Sequence, residues 1–181
     1  SDLTKDSEMK SVVVFDSHYL CWRGFYTTSR LSHNGNATGV LYAFLRDIIT
    51  MNDLFAPDVT VFCFEGGGDR LREQVYPEYK KNRIKILTQE EAVARDNLKV
   101  QINTLRDDVL PNMGFKNVFA QNGYEADDII ATICHDNPET DITIVSGDSD
   151  LYQLLTKKVR VYNPRDKSIV SRKVFARKYG I

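Results

Sequence analysis

Glu125, Asp127, Asp128, Asp148 and Asp150 fall in two short runs, Gly123-Tyr-Glu-Ala-Asp-Asp128 and Ser146-Gly-Asp-Ser-Asp150. The surrounding stretch from Gln121 to Thr156 carries eight carboxylates and no Lys or Arg. Two unit charges about 4 Å apart repel by roughly 4 kcal/mol at an effective dielectric near 20, so acids that converge in a cleft need protons or bound cations. Oxygen-only ligands select hard cations such as Mg2+ or Mn2+ over zinc. Cys21, Cys63 and Cys134 are odd in number and far apart, with no C-x-x-C pair, which reads as buried apolar thiols in a reducing cytoplasm. His18, His33 and His135 show no ligand spacing.

Two further acids stand at the ends of apolar runs. Asp16 follows Ser11-Val-Val-Val-Phe15, and Glu65 follows Val59-Thr-Val-Phe-Cys-Phe64; Asp141-Ile-Thr-Ile-Val145 leads in the same way to Asp148. A lone strand-end Asp can simply cap the next helix, but three acid-bearing ends favour a shared site. Arg23 lies seven residues after Asp16, two helical turns on, where it can point along the same face; a surface salt bridge is the plain alternative. Glu125, Asp127 and Asp128 open a helix, whose dipole favours them there. In a regular helix Glu125 shares a face with Asp128 rather than Asp127, so which Asp reaches a cation depends on where the helix begins.

Basic segments bracket the acids. Arg70, Arg72, Lys80, Lys81, Arg83 and Lys85 face only Glu73 and Glu78, and Lys157 to Lys178 supplies nine basic residues against Asp166. Within the first, Tyr76-Pro-Glu-Tyr-Lys-Lys-Asn-Arg83 interleaves aromatics with cations, which suits base stacking and phosphate contact; a solvated charged face is the simpler alternative. The formal net charge of −1 does not itself select a partner.

Unbroken apolar strands imply a parallel sheet covered on both faces, with ligands at the carboxyl ends. Between them, Thr38 to Met51 has an apolar face of Val40, Leu41, Phe44, Leu45, Ile48 and Ile49. Thr88-Gln-Glu-Glu91 reads as a capping box before a helix to about Val109, with Val93, Leu98, Ile102 and Leu105 as its stripe. Ala126 to His135 and Leu151 to Leu155 read as helices, Val159 to Tyr162 as a strand and Ser171 to Tyr179 as the start of a helix. The expected fold class is α/β, doubly wound, with a mostly parallel central sheet flanked by helices. One domain is expected over residues 9–181, with residues 1–8 an appended polar remnant. No stretch approaches the roughly 20 apolar residues of a membrane span.

The motifs together resemble the 5′-nuclease family, which includes flap endonucleases, phage 5′-exonucleases and the 5′-nuclease domain of bacterial DNA polymerase I. The markers are Phe15-Asp-Ser-His-Tyr-Leu-Cys-Trp-Arg-Gly-Phe25, Phe64-Glu-Gly-Gly-Gly68, Tyr76 to Arg83, and the two acidic runs. The resemblance implies a PIN-like fold and two or more divalent ions, Mg2+ or Mn2+. Asp16, Glu65, Glu125, Asp127 and Asp148 would hold or orient the first ion, and Asp150 would help with a second. It implies that Lys80 and Arg83 act at the base of a helical arch or clamp, that Tyr79 stacks on a base and that Arg23 contacts phosphate; Lys81, Arg70 and Arg72 join the DNA-binding set. The implied reaction is hydrolysis near 5′ ends or flaps of DNA, or of RNA annealed to DNA, by a two-metal in-line displacement, in replication and repair. A DNA polymerase or single-strand-binding protein is the implied partner, and the cytoplasm, the host's if phage-encoded, the implied location.

Two departures accompany the resemblance. Glu65 stands where the family usually has Asp, and the chain ends at Ile181 where relatives continue into a Gly-Asp-x-x-Asp-Asn segment and a helix-hairpin-helix. The expectation is an incomplete second metal site and a reduced duplex grip. Competing readings are a non-catalytic truncated relative that binds branched or single-stranded DNA, a PIN-type endoribonuclease, and a phosphatase with an aspartyl nucleophile. The last needs an acid two residues after Asp16, where His18 stands.

Overall fold

The apolar runs become the centre of a six-stranded sheet in the computed structural model, which describes residues 10–28, 32–33, 36–67 and 88–180. Residues 1–9 lie outside the described residues. The chain order begins with β1 (Ser11–Asp16), α1 (Ser17–Thr28), a small antiparallel ribbon of β2 (Ser32–His33) and β3 (Asn36–Ala37), α2 (Gly39–Phe55) and β4 (Val59–Cys63). It continues with α3 (Gln89–Thr104), β5 (Val118–Phe119), α4 (Ala126–Asp136), β6 (Asp141–Val145), a 3-10 helix (Ser149–Leu154), β7 (Val159–Asn163), β8 (Ser168–Val170) and α5 (Arg172–Tyr179).

The sheet order is β5-β4-β1-β6-β7-β8, parallel except for β8, which pairs antiparallel with β7. The chain builds leftward from β1 through β4 and β5, then crosses to β6 and β7 on the right. The reversal falls between β1 and β6, where an open α/β sheet has its crevice.

Strand alternation assigns each residue a face. Val13, Phe15, Phe62 and Phe64 pack with Leu20, Val40, Phe44, Ile48, Leu98 and Leu105 against α1, α2 and α3. Val14, Val61, Cys63, Ile142 and Ile144 pack with Ala126, Ile130 and Leu151 under α4 and the 3-10 helix. The sheet is therefore covered on both faces, as the doubly wound expectation requires.

The Thr88–Glu91 capping box is present, each residue bonded to the other's backbone N–H. Two apolar positions depart from expectation: Ile49 and Val93 are exposed. The buried residues of α3 are Leu98 and Gln101, and Val93 stands on its exposed side. The helix loosens into a π turn over Leu105–Val109 and ends in a short turn at Leu110–Asn112. Gln101, not anticipated, is buried and its Oε1 accepts from the backbone N–H of Val40 (3.0 Å) and Leu41 (3.3 Å). Thr38 offers no side-chain cap to α2, and Gln101 supplies one from another helix. The short strands β2, β3, β5 and β8 also escaped the sequence pattern, being only two or three residues long. Cys21, Cys63 and Cys134 are free and buried as expected. Among the described residues no helix is long and apolar enough to cross a membrane.

Candidate metal centre

Period-two alternation carries the apolar face of each central strand into a polar residue at its end. Val12 and Val14 lead to Asp16, Val61 and Cys63 to Glu65, and Ile142 and Ile144 to Ser146, all toward α4. The β1–β6 register pairs Phe15 with Val145, so Asp16 and Ser146 emerge side by side at the crevice. Ser146 Oγ donates to Asp16 Oδ2 at 2.7 Å, and the same Oγ accepts from Asp148 N–H at 3.1 Å.

Asp16 also performs the capping role that the sequence left open. Its Oδ1 accepts from Tyr19 N–H at 3.1 Å, at the first turn of α1. The carboxyl is 6% exposed. Burial pushes its pKa up to about 6, opposed by the Ser146 and Tyr19 hydrogen bonds and reinforced by the charges of Asp148 and Asp127. Asp16, Asp127 and Asp148 therefore share one electrostatic neighbourhood although they come from three elements.

Glu125 is the N-cap of α4, so the helix begins at Ala126. Asp128 then falls at the third helical position, where its Oδ2 accepts from Glu125 N–H at 3.0 Å while the Glu125 side chain accepts from Asp128 N–H. Asp128 closes the cap, whereas Asp127 holds a solvent-shielded Oδ1 and acts on Asp16. Glu125, Asp127 and Asp128 present carboxylate oxygens all within 4.8 Å of one another.

Glu65 is brought to this end by backbone contacts. Gly66 N–H donates to Tyr124 O at 3.1 Å and Gly123 N–H to Gly67 O at 3.3 Å. A Cβ on Gly66 would run into the Gln121 carbonyl, so only glycine lets the two loops meet. Glu65 Oε1 lies 3.5 Å from His18 Nε2, a neighbour that the sequence did not suggest. Asp148 is the N-cap of the 3-10 helix, its Oδ1 accepting from Asp150 N–H at 2.9 Å, and both acids are exposed at the rim. Tyr19 fits against Gly147, where a side chain would strike its ring.

Arg23 stands on α1 as expected, and the structure adds a partner. Its Nη1 donates to Asp47 Oδ2 at 2.8 Å, and Asp47 is a buried acid on α2 that Arg46 also approaches at 3.7 Å. Tyr79, Lys80, Lys81, Arg83, Arg70 and Arg72 lie outside the described residues. Ser146 and Tyr19 were not singled out as site residues. The strand alternation Ile142, Ile144, Ser146 is the signal that could have found the first.

The donor set fits hard divalent cations. It is all carboxylate oxygen, Glu125, Asp127 and Asp128 lie together at the start of α4, and burial opposes the ionisation of Asp16.

Comparison with known proteins places this architecture. The family described as 5′-3′ exonuclease, N-terminal resolvase-like domain, matches residues 11–180. A 5′-3′ exonuclease of Aquifex aeolicus is 31% identical over 176 residues, covering 96% of this chain and 57% of that protein. A 5′-3′ exonuclease of Bacillus subtilis is 33% identical over 157 residues, 83% of this chain and 49% of that one. The chain thus spans about half the length of these relatives. The T5 5′-exonuclease with zinc bound superimposes with a TM-score of 0.80 at 20% identity, over 95% of this chain and 62% of that one. The bacteriophage T5 flap endonuclease in a pseudo-enzyme-product complex with DNA and metal ions gives 0.77 at 19% identity, over 95% of this chain and 61% of that one. A match that runs from the start of β1 to the end of α5 leaves no described element of the main sheet outside it, and the chain belongs to the family of 5′-3′ exonucleases, as their N-terminal resolvase-like domain.

Proposed function

We propose that the chain is the catalytic domain of a divalent-metal-dependent 5′-nuclease that hydrolyses phosphodiester bonds near 5′ ends or flaps of DNA, or of RNA paired with DNA. The observation that carries this reading is the delivery of Asp16, Glu65 and the Ser146–Asp148 loop by three neighbouring strands to the face on which Glu125 and Asp127 open α4. In this reading Asp16, Glu65, Glu125, Asp127 and Asp148 hold the first cation, and Asp150 at the rim assists a second. Mg2+ or Mn2+ is the expected ion. When bound, such ions neutralise phosphate charge and make a water nucleophilic at neutral pH.

The chain's own residues prepare that site. Ser146 Oγ and Tyr19 N–H keep the Asp16 carboxylate oriented, Asp128 fixes the α4 terminus that aims Glu125 and Asp127, and the Asp150 amide holds Asp148. Such prior orientation is what positioning contributes to rate. Arg23, already held by Asp47, is assigned to a substrate phosphate together with Lys80 and Arg83, with Tyr79 stacking on a base and Arg70, Arg72 and Lys81 adding cationic contacts. Action on DNA beside a polymerase or a single-strand-binding protein, in the cytoplasm, completes the proposal.

A 5′-labelled flap incubated with Mg2+ tests it. The parent chain is expected to release the label, and Asp148→Asn to lose at least 100-fold in rate while still binding DNA. Binding without cleavage by both proteins would overturn the enzyme in favour of a DNA-binding module.

A further inference from the structure

The amino edge of the sheet, opposite the acids, holds a cavity of about 400 Å³. It opens where β1, β6 and β7 begin, beside the end of α2. From Asp141 at the start of β6 to Ser146 at the acid site the chain climbs about 17 Å at the usual strand rise. The volume lies within the roughly 300–1,000 Å³ of small-molecule sites, well above what a single ion needs.

Three cations and one acid line it: Lys157, Lys158 and Arg160 less Asp141 leave a formal excess of two positive charges. Lys158 Nζ lies 3.4 Å from Asp141 Oδ1. Asp58, next to the lining Pro57, turns its Oδ2 to the Ser11 N–H at 2.8 Å and Oγ–H at 3.2 Å. Arg160 is held but not neutralised. Its Nε donates to Thr143 Oγ1 at 2.9 Å, Thr143 being 6% exposed, and its guanidinium lies 5.4 Å over the Phe55 ring. Phe55 is braced in turn by Tyr162, edge to face at 5.2 Å. Among the described residues no carboxylate pairs with Arg160, so its Nη groups form a fixed fork open to an anion.

An arginine fixed on two sides by uncharged groups loses little freedom on taking up an anion, and its planar fork matches two phosphate oxygens at once. The lysines add point charges beside it. A terminal phosphate carries nearly two negative charges at neutral pH, which matches the excess in the cavity, whereas a backbone diester carries one. Ser171, the N-cap of α5, also lines the cavity, its Oγ taken by Val174 N–H at 3.3 Å, so the positive end of that helix meets the same wall. Val12, Val13, Phe55 and Pro57 give the cavity an apolar side suited to the uncharged body of a ligand.

We propose that the amino-edge cavity binds a phosphate monoester of mononucleotide size, with the Arg160 fork and the Lys157 and Lys158 ammoniums on the phosphate. The site is separate from the acid centre and does not rest on the nuclease reading. Free nucleotides and 5′-phosphorylated nucleic-acid ends offer it the same group.

Isothermal titration of the whole chain in EDTA tests it, with 2′-deoxyadenosine 5′-monophosphate as the probe and deoxyadenosine, which lacks the phosphate, as its control. The monophosphate is expected to bind and the nucleoside to give no heat. Arg160→Gln should weaken binding about tenfold or more, and Lys157→Gln, at an exposed position where folding is not at stake, about threefold. Thr143→Val keeps every charge but frees the fork, and should also cost about threefold. Arg165→Gln and Asp148→Asn, at the opposite edge and beyond a Debye length, should leave the affinity within about twofold. Melting curves check that each variant folds. Displacement of the probe by a 5′-phosphorylated oligonucleotide, but not by its 5′-hydroxyl counterpart, supports the site with nucleic-acid ends as the source. Displacement by inorganic phosphate and mononucleotides alone supports it with free nucleotides as the source. No binding of the monophosphate, equal binding of the nucleoside, or equal weakening by Arg165→Gln overturns the proposal, whether or not the chain cleaves flap DNA.

Discussion

Replacing Asp16 by Asn separates the electrostatic burden of the site from its chemistry. In the cation-free protein the Asp16 carboxyl titrates near 6 rather than at the ordinary 3.8, chiefly because it is buried. The folded state then binds the proton more tightly than the unfolded chain, so stability falls as pH rises from about 3.8 to 6 and stays lower above. At about 1.4 kcal/mol per pH unit, that rise comes to roughly 3 kcal/mol. Asn has no proton to lose. Its amide cannot accept from both Tyr19 N–H and Ser146 Oγ as the carboxylate does, which adds a pH-independent penalty of about 1 kcal/mol. Urea unfolding in EDTA between pH 4 and 7.5 should therefore show the variant gaining on the parent by up to about 3 kcal/mol across the range. Adding Mn2+ at pH 7.5 should reverse the trend, since an ion at a hundredfold excess over its Kd stabilises a binding-competent fold by about 2.7 kcal/mol. A stability difference that is flat with pH, or equal stabilisation of both proteins by Mn2+, would refute the assignment of Asp16 as a buried cation ligand.

Two other expectations concern the scaffold. Gln101→Ala uncovers the Val40 and Leu41 amides at the start of α2 and should lower stability by about 1 to 3 kcal/mol in urea unfolding, whereas Asn97→Ala on the same helix, four residues earlier, should change it little. The three thiols are buried and their ionisation is pushed up, that of Cys134 to about 11, by loss of solvation. A thiol reagent at pH 8 should leave all three unmodified in the native protein and react with all three in denaturant.

The arrangement of acids at strand ends was readable because a sheet covered on both faces writes its strands as unbroken apolar runs, and the residue after each run is where the carboxyl edge begins. Asp16, Glu65 and Asp148 are visible for that reason. The boundary of α4 was less so. Glu125 as cap and Asp128 as its reciprocal partner follow from where the helix starts, which a run of three acids in four residues leaves ambiguous. The exposure of Val93 and Ile49 was hidden because periodicity marks a helical face without saying how far its neighbour extends.

What the sequence by itself determined is the kind of site and the class of fold: oxygen ligands, parallel strands, crossover helices and cationic flanks. Tertiary structure alone decided the partnerships. Ser146 reaches Asp16 across 130 residues, Gln101 caps α2 across 61, and Asp47 takes Arg23 across 24. It also set Lys157, Lys158 and Arg160 at the amino edge of the sheet and Arg165 and Lys167 at the opposite edge. Local pattern follows from steric and hydrophobic preferences of neighbours, whereas these contacts depend on strand order and register, which emerge only when the whole sheet is packed.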